Sequence, residues 1–122
     1  MYGIGVDIIE ITRIKNTFKK YNEKFINKVF TEKERSYCYL FKNSYKKFAA
    51  KFAAKEAVAK ALGTGIGKIR WKDIEVLNNS NGAPYVKLYN SAENTLRKLN
   101  AKKVLVSISD TKDLAIAFAI IT

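Results

Sequence analysis

Apolar residues at the start of the chain follow a two-residue period. Tyr2, Ile4, Val6 and Ile8 share one side, and Gly3, Gly5, Asp7 and Ile9 share the other, which predicts a strand over residues 2–11. The period then lengthens. Ile11, Ile14, Phe18 and Tyr21 recur at helical spacing, with Arg13, Lys15, Lys19 and Lys20 off the stripe. Thr31-Glu32-Lys33-Glu34 has the form of a capping box and predicts a helix to about residue 41. Ser44 is the predicted cap of the longest helix, which ends near Leu62, where Gly63 supplies a left-handed stop. Its length is about 28 Å. Gly63-Thr64-Gly65-Ile66-Gly67 then reads as a glycine loop.

The second half reads as strands with one helix. Residues 73–78 and 84–89 flank Asn79-Ser80-Asn81-Gly82, a hairpin signal. Ser91 caps a predicted helix to about residue 100. Residues 103–109 alternate at Val104, Val106 and Ile108 and pair with 114–121 across Asp110-Thr111-Lys112-Asp113. The order β-α-α-α-β-β-α-β-β predicts an α+β fold. Its mostly antiparallel sheet packs against one long helix and shorter helices, in a single domain over residues 1–122.

Composition narrows the chemistry. The 122 residues contain one Cys and no His, which excludes a disulfide framework, a structural zinc site, a Cys–His dyad and a Ser-His-Asp triad. Carboxylates, lysines, hydroxyls, backbone amides and a hard metal are what is left. With 23 Lys+Arg against 11 Asp+Glu the net charge is +12. Between Arg13 and Lys28 six basic residues accompany one acidic one, and such a field attracts an anionic partner. Many of the lysines are equally read as a solvated surface. No segment reaches the ~18 apolar residues of a membrane span, and the N-terminus lacks the features of a signal peptide. A soluble, cytoplasmic protein with no membrane partner is expected.

Two carboxylates depart from the plain pattern. Asp7 lies mid-strand among apolar residues, where a carboxylate needs a partner, a metal or a proton. Gly3 and Gly5 on its side leave room for a close approach. An edge-strand Asp facing water is the simpler alternative. Glu56 continues the stripe Phe48, Phe52, Glu56, Lys60, whose aromatic members predict that it packs inward. An ordinary Glu56–Lys60 helix pair is the alternative there. Together Asp7 and Glu56 suit Mg²⁺, which takes one or two protein carboxylates and completes its shell with water and phosphate. Lys60 can then reach a phosphate, and the backbone amides of the glycine loop, residues 63–67, can face the same anion. That loop is not a P-loop, because it follows a helix and lacks the Gly-Lys-Ser/Thr ending.

Gly3-Ile4-Gly5-Val6-Asp7-Ile8-Ile9-Glu10 with Arg13 resembles the opening of the holo-acyl-carrier-protein synthases, the small phosphopantetheinyl transferases. Phe52-Ala53-Ala54-Lys55-Glu56-Ala57 and Lys60-Ala61-Leu62-Gly63-Thr64-Gly65 resemble their second signature. Phe30-Thr31 with Glu34, Asn81-Gly82-Ala83-Pro84 and Ser107-Ile108-Ser109 also match family segments. The resemblance implies Mg²⁺-dependent transfer of 4′-phosphopantetheine from coenzyme A to a serine of an acidic acyl carrier protein, in fatty acid biosynthesis. It implies Asp7 and Glu56 as metal ligands, Lys60 near the pyrophosphate, and Glu56 as the candidate base. For coenzyme A it implies Lys51, Lys60, Gly63, Thr64, Gly65, Asn81, Gly82, Pro84, Ser109 and Asp110. Arg13 matches the arginine that meets the carrier protein, and Lys20 and Lys24 extend that basic surface. A homotrimer with coenzyme A between subunits is implied as well.

Two positions depart from the family. Asp110 stands where His is usual, and Lys51 where Arg is frequent. Two other readings compete. One is a basic nucleic-acid-binding module, which leaves Asp7 and Glu56 unexplained. The other is a family member that keeps the fold without the activity.

Overall fold

Small side chains decide how the central layers of the molecule meet. The structure, a computed structural model, describes residues 2–122. Strand β1 (Gly3–Glu10) carries Gly3 and Gly5 on one face, and strand β5 (Leu114–Ile121) carries Ala115, Ala117 and Ala119 on the same face. Both lie against the alanine-rich helix α4 (Ser44–Ala61). A Cβ on Gly5 would sit 2.0 Å from the Ala57 carbonyl oxygen, and one on Gly3 1.9 Å from that of Ala61. The two glycines therefore serve helix-on-sheet contact. The close approach expected on their side is made by α4.

The main sheet has the order β1-β5-β4, with β4 spanning Val104–Asp110, and all its pairs are antiparallel. Its register sets Asp7 opposite Ala117 and Ala117 opposite Ile108. A second sheet is the hairpin of β2 (Ile74–Asn78) and β3 (Pro84–Leu88). The other helices are α1 (Ile11–Tyr21), α2 (Glu23–Val29), α3 (Glu32–Cys38) and α5 (Asn90–Lys98). This is the expected α+β arrangement. The alternation that turns glycine and alanine inward turns the bulky residues outward. Ile4, Val6, Ile8, Leu105, Ile116 and Phe118 are between 39% and 57% exposed on the outer face.

Several local expectations need correction. Helix α2 has no counterpart in the sequence reading. It is seven residues long and held by aromatic packing: Phe25 meets Phe18 at 5.5 Å and Phe30 at 6.3 Å between ring centroids. Tyr21, placed on the inward stripe of α1, is exposed. Helix α3 opens at the capping box but stops at Cys38, short of residue 41. Asn43, not Ser44, caps α4, its side chain accepting from the Lys46 amide. Helix α5 starts at Asn90, and Ser91 donates instead to Asp73. A 3₁₀ turn at Trp71–Asp73 precedes β2. The stripe from Phe48 to Lys60 does not pack inward throughout: Phe48 is buried, Phe52 and Glu56 are half-buried, and Lys60 is exposed.

One buried ion pair locks α4 in place. Lys55 and Glu34 meet at 2.9 Å with both side chains wholly inaccessible. Lys55 also donates to the carbonyls of Trp71 and Ile74, and Glu34 accepts from the amides of Thr31 and Val76. Every polar group brought out of water here finds a partner, which is the condition for burying such a pair. It joins α3, α4 and β2.

Candidate active site

Asp7 reaches the edge of α4 because β1 runs beside it with glycine at two positions. Its Oδ1 lies 3.3 Å from Lys60 Nζ, which also donates to the Val6 carbonyl at 2.9 Å. Lys60 thus crosses to the strand, and the alternative Glu56–Lys60 helix pair does not form. Glu56 lies one turn before Lys60 on the same flank. Burial pushes its carboxyl above the usual range, the negative charge of Asp7 pushes it further, and Lys60 and Arg13 pull it back. Four charged groups from β1, α1 and α4 therefore act on one another at one place. Asp7 has a fifth of its side chain exposed, 19%, so it is neither deep in the core nor a freely solvated edge residue.

Two carboxylates that repel one another at a half-open site suit a hard divalent cation. Among the described residues no third His, Cys, Asp or Glu joins them. That donor set is right for Mg²⁺, which keeps room for water and phosphate, and too sparse for an all-protein cage. Arg13, on α1, is exposed at the rim and borders a surface depression of about 420 Å³ that also takes in Lys20 and Tyr21. Lys24 is exposed too, on α2 beyond the bend at Asn22, whose φ is +51°.

A second group of predicted residues gathers elsewhere. Lys51, Gly82, Pro84 and Asp110 line a cavity of about 160 Å³ together with Lys47 and Asn78. Lys51 and Lys60 are nine residues apart on α4, about half a turn around the helix and about 14 Å along it. Asp7 lies on one edge strand of the main sheet and Asp110 on the other. The two groups therefore occupy opposite flanks of α4. Asp110 pairs with Lys46 at 3.1 Å. Lys46, Lys47 and Asn78 went unnoticed in the sequence. The lysines' only signal was their recurrence with Lys51 on one helix, and Asn78 carried none.

Other predicted residues are placed differently. The amides of Gly63, Thr64 and Gly65 are engaged with the carbonyls of Lys60 and Ala59, closing the C-terminus of α4. A helix C-terminus is the wrong end of the dipole for an anion. The Thr64 hydroxyl is different: it is buried and has no partner among the described residues. In the hairpin loop, the amide of Gly82 donates to the Asn79 carbonyl and that of Asn81 to the Asn79 side chain. Asn81 itself is exposed. Ser109 alternates to the outer face opposite Ile116, away from the cavity that Asp110 lines.

Comparison with known proteins places the fold in a family. Residues 3–119 match the family model of the 4′-phosphopantetheinyl transferase superfamily. The chain is 49% identical over 119 residues to the holo-[acyl-carrier-protein] synthase of Natranaerobius thermophilus, covering 98% of this chain and 95% of that one. The crystal structure of the Neisseria meningitidis holo-[acyl-carrier-protein] synthase superposes with a TM-score of 0.91 at 32% identity, covering 100% of this chain and 98% of the other. That of the Helicobacter pylori synthase in complex with coenzyme A gives 0.86 at 31% identity, covering 98% and 99%. With a matching family model, relatives along nearly the whole length and the same fold, the chain belongs to the 4′-phosphopantetheinyl transferase superfamily and, within it, to the holo-[acyl-carrier-protein] synthases.

Proposed function

We propose that this chain transfers 4′-phosphopantetheine from coenzyme A to a serine hydroxyl of an acyl carrier protein and releases adenosine 3′,5′-bisphosphate, serving fatty acid biosynthesis. The observation that carries the reading is the convergence of Asp7, Glu56 and Lys60 from elements about 50 residues apart in the chain. Asp7 and Glu56 are the residues that would hold Mg²⁺, which when bound supplies positive charge to the pyrophosphate oxygens. Lys60 has one N–H left after Asp7 and Val6, enough to orient a phosphate oxygen. Glu56, held above the usual carboxylate range by burial, takes the serine proton as the oxygen attacks phosphorus and the bond to the nucleotide phosphate breaks. Incubation of an apo carrier protein with this protein, coenzyme A and Mg²⁺, read by mass spectrometry, tests the reaction. An unmodified carrier refutes it.

The carrier is expected to dock on the basic surface of α1 and α2. Arg13, at the rim of the carboxylate site, would meet it, with Lys20 and Lys24 beyond. Arg13→Ala should weaken carrier binding at least about tenfold, the loss of one charge-assisted contact, and coenzyme A binding far less. Wild-type carrier affinity should fall as ionic strength rises through the screening range. Calorimetric titrations at two salt concentrations check both, and an affinity indifferent to salt and to Arg13 removes the acidic-partner reading.

The outer face of the main sheet supports a homotrimer. Six bulky apolar residues on one face exceed what a lone small protein commonly exposes. The division of the coenzyme A residues between opposite flanks of α4 fits a site completed by a neighbouring subunit. A mass near three times the 13.8 kDa chain is expected in solution. Phe118→Asp should yield monomers and lose turnover together. A wild-type mass of one chain refutes the assembly.

A further inference from the structure

We infer that Lys51 is a positioning residue of the cavity it lines with Gly82, Pro84 and Asp110: through Asn78 it sets the Asn79–Ala83 loop, and it does not itself grip a phosphate. The inference rests on the transfer reading above, since it concerns how coenzyme A is received. Lys51 is 3% exposed, and its ammonium is already fully occupied. It donates to the Val76 carbonyl at 2.6 Å and to Asn78 Oδ1 at 2.7 Å. The Tyr37 ring lies beneath it, 4.6 Å from Nζ to the centroid. Two short hydrogen bonds and a π-face account for all three donors of a lysine.

The relay continues past Lys51. Asn78, the last residue of β2, turns its amide nitrogen to the Gly82 carbonyl at 3.0 Å. The loop beyond is otherwise closed on itself: Asn79 Oδ1 accepts from the amides of Asn81 and Ala83, and the Asn79 amide donates to the Ala83 carbonyl. Asn78 is thus the side chain that fixes this self-contained loop to the helix. Gly82, with φ +86°, and Pro84 carry the loop onto the cavity rim, facing Asp110 and Lys47. A carboxamide orients both its ends at once. With Lys51 holding the oxygen, the NH₂ group must face Gly82. Removing the ammonium frees the amide to rotate and the loop to swing. Lys47 lines the same cavity and Lys46 reaches its Asp110, and both are more exposed than Lys51, so phosphate attraction does not require Lys51.

Lys51→Met and Asn78→Ala test this, alone and combined. Each is expected to raise KM for coenzyme A on the order of tenfold, as loss of one charge-assisted hydrogen bond does, with kcat within about twofold. The double variant should be no worse than the worse single one, because both break one relay. The same factor is expected with 3′-dephospho-coenzyme A. Hydrogen exchange should speed up at the amides of residues 79–83 in both variants, whether or not substrate is present. Additive effects, an Asn78→Ala protein that behaves as wild type, or a Lys51→Met effect confined to the 3′-phosphorylated substrate would each overturn the inference. If Lys51→Met fails to fold, Asn78→Ala alone still decides, since it leaves the ammonium and its Val76 bond in place. Failure of the wild-type protein to modify any carrier would instead remove the transfer reading, while the exchange result would still report on the relay.

Discussion

Asp7→Ala and Glu56→Ala are each expected to lower turnover at least about a hundredfold while leaving the circular dichroism spectrum unchanged. Each removes one of two carboxylates that converge at a half-exposed site, and neither belongs to the buried core. Glu56→Gln should be nearly as damaging, since it keeps the shape and removes the charge and the base. Stability should respond in the opposite sense. Burial and Asp7 raise the Glu56 pKa above 4.5, so its ionised form is disfavoured in the folded state. A group whose folded pKa is raised holds its proton more tightly when folded. Its ionisation costs nothing below the ordinary carboxylate range and costs most above the raised value. Glu56→Gln should therefore raise Tm near pH ~7 and leave it unchanged near pH ~4. Turnover should fall as acid protonates Glu56, with a break above the ordinary carboxylate value. Near-normal activity of either alanine variant at limiting Mg²⁺, or a Tm lowered by Glu56→Gln at neutral pH, removes the assignment.

Breaking the Lys55–Glu34 pair is expected to cost about 3–5 kcal/mol, a large share of the ~5–15 kcal/mol that holds a domain of this size together. Lys55→Met leaves the Glu34 carboxylate buried against two amides without its cation. Glu34→Gln leaves an ammonium, already pushed below its usual range by burial, without the charge that pulls it back. The pair with both replaced by apolar residues should recover much of either loss, because the cost lies in the orphaned charge. Urea unfolding at fixed protein concentration measures all three. A loss below about 1 kcal/mol for both single variants would mean that water or another group reaches the site. The functional consequence runs through geometry. Lys55 precedes Glu56, and its anchors on Trp71 and Ile74 fix the rotation of α4 that turns Glu56 toward β1.

The chain's periodicities carried most of the fold. The strand over β1, the capping box at Thr31, the long alanine-rich helix with its stop at Gly63, and the two antiparallel strand pairs all follow from local spacing and turn chemistry. Asp7 and Glu56 were legible for the same reason, as polar residues interrupting apolar patterns. Helix α2 was not, because seven residues held by Phe25 against Phe18 and Phe30 leave no local period long enough to read.

What the tertiary structure decided is which side of each element faces what. Local alternation gave β1 two faces and did not say which one the helix would cover. On the side that meets α4, glycine and alanine let β1 and β5 come close, and Ile4, Val6, Ile8, Ile116 and Phe118 lie on the outer face. The same packing brought Lys60 across to Asp7 and left the glycine-loop amides engaged with the end of the helix. It sent Ser109 and Asp110 to opposite faces of one strand and gave Asp110 to Lys46. It drew Lys51 into the interior, where its charge orders a loop. Residue types and their spacing determined which groups were available for chemistry. Only the contact of helix and sheet determined their partners, because partners distant in the chain leave no mark on local periodicity.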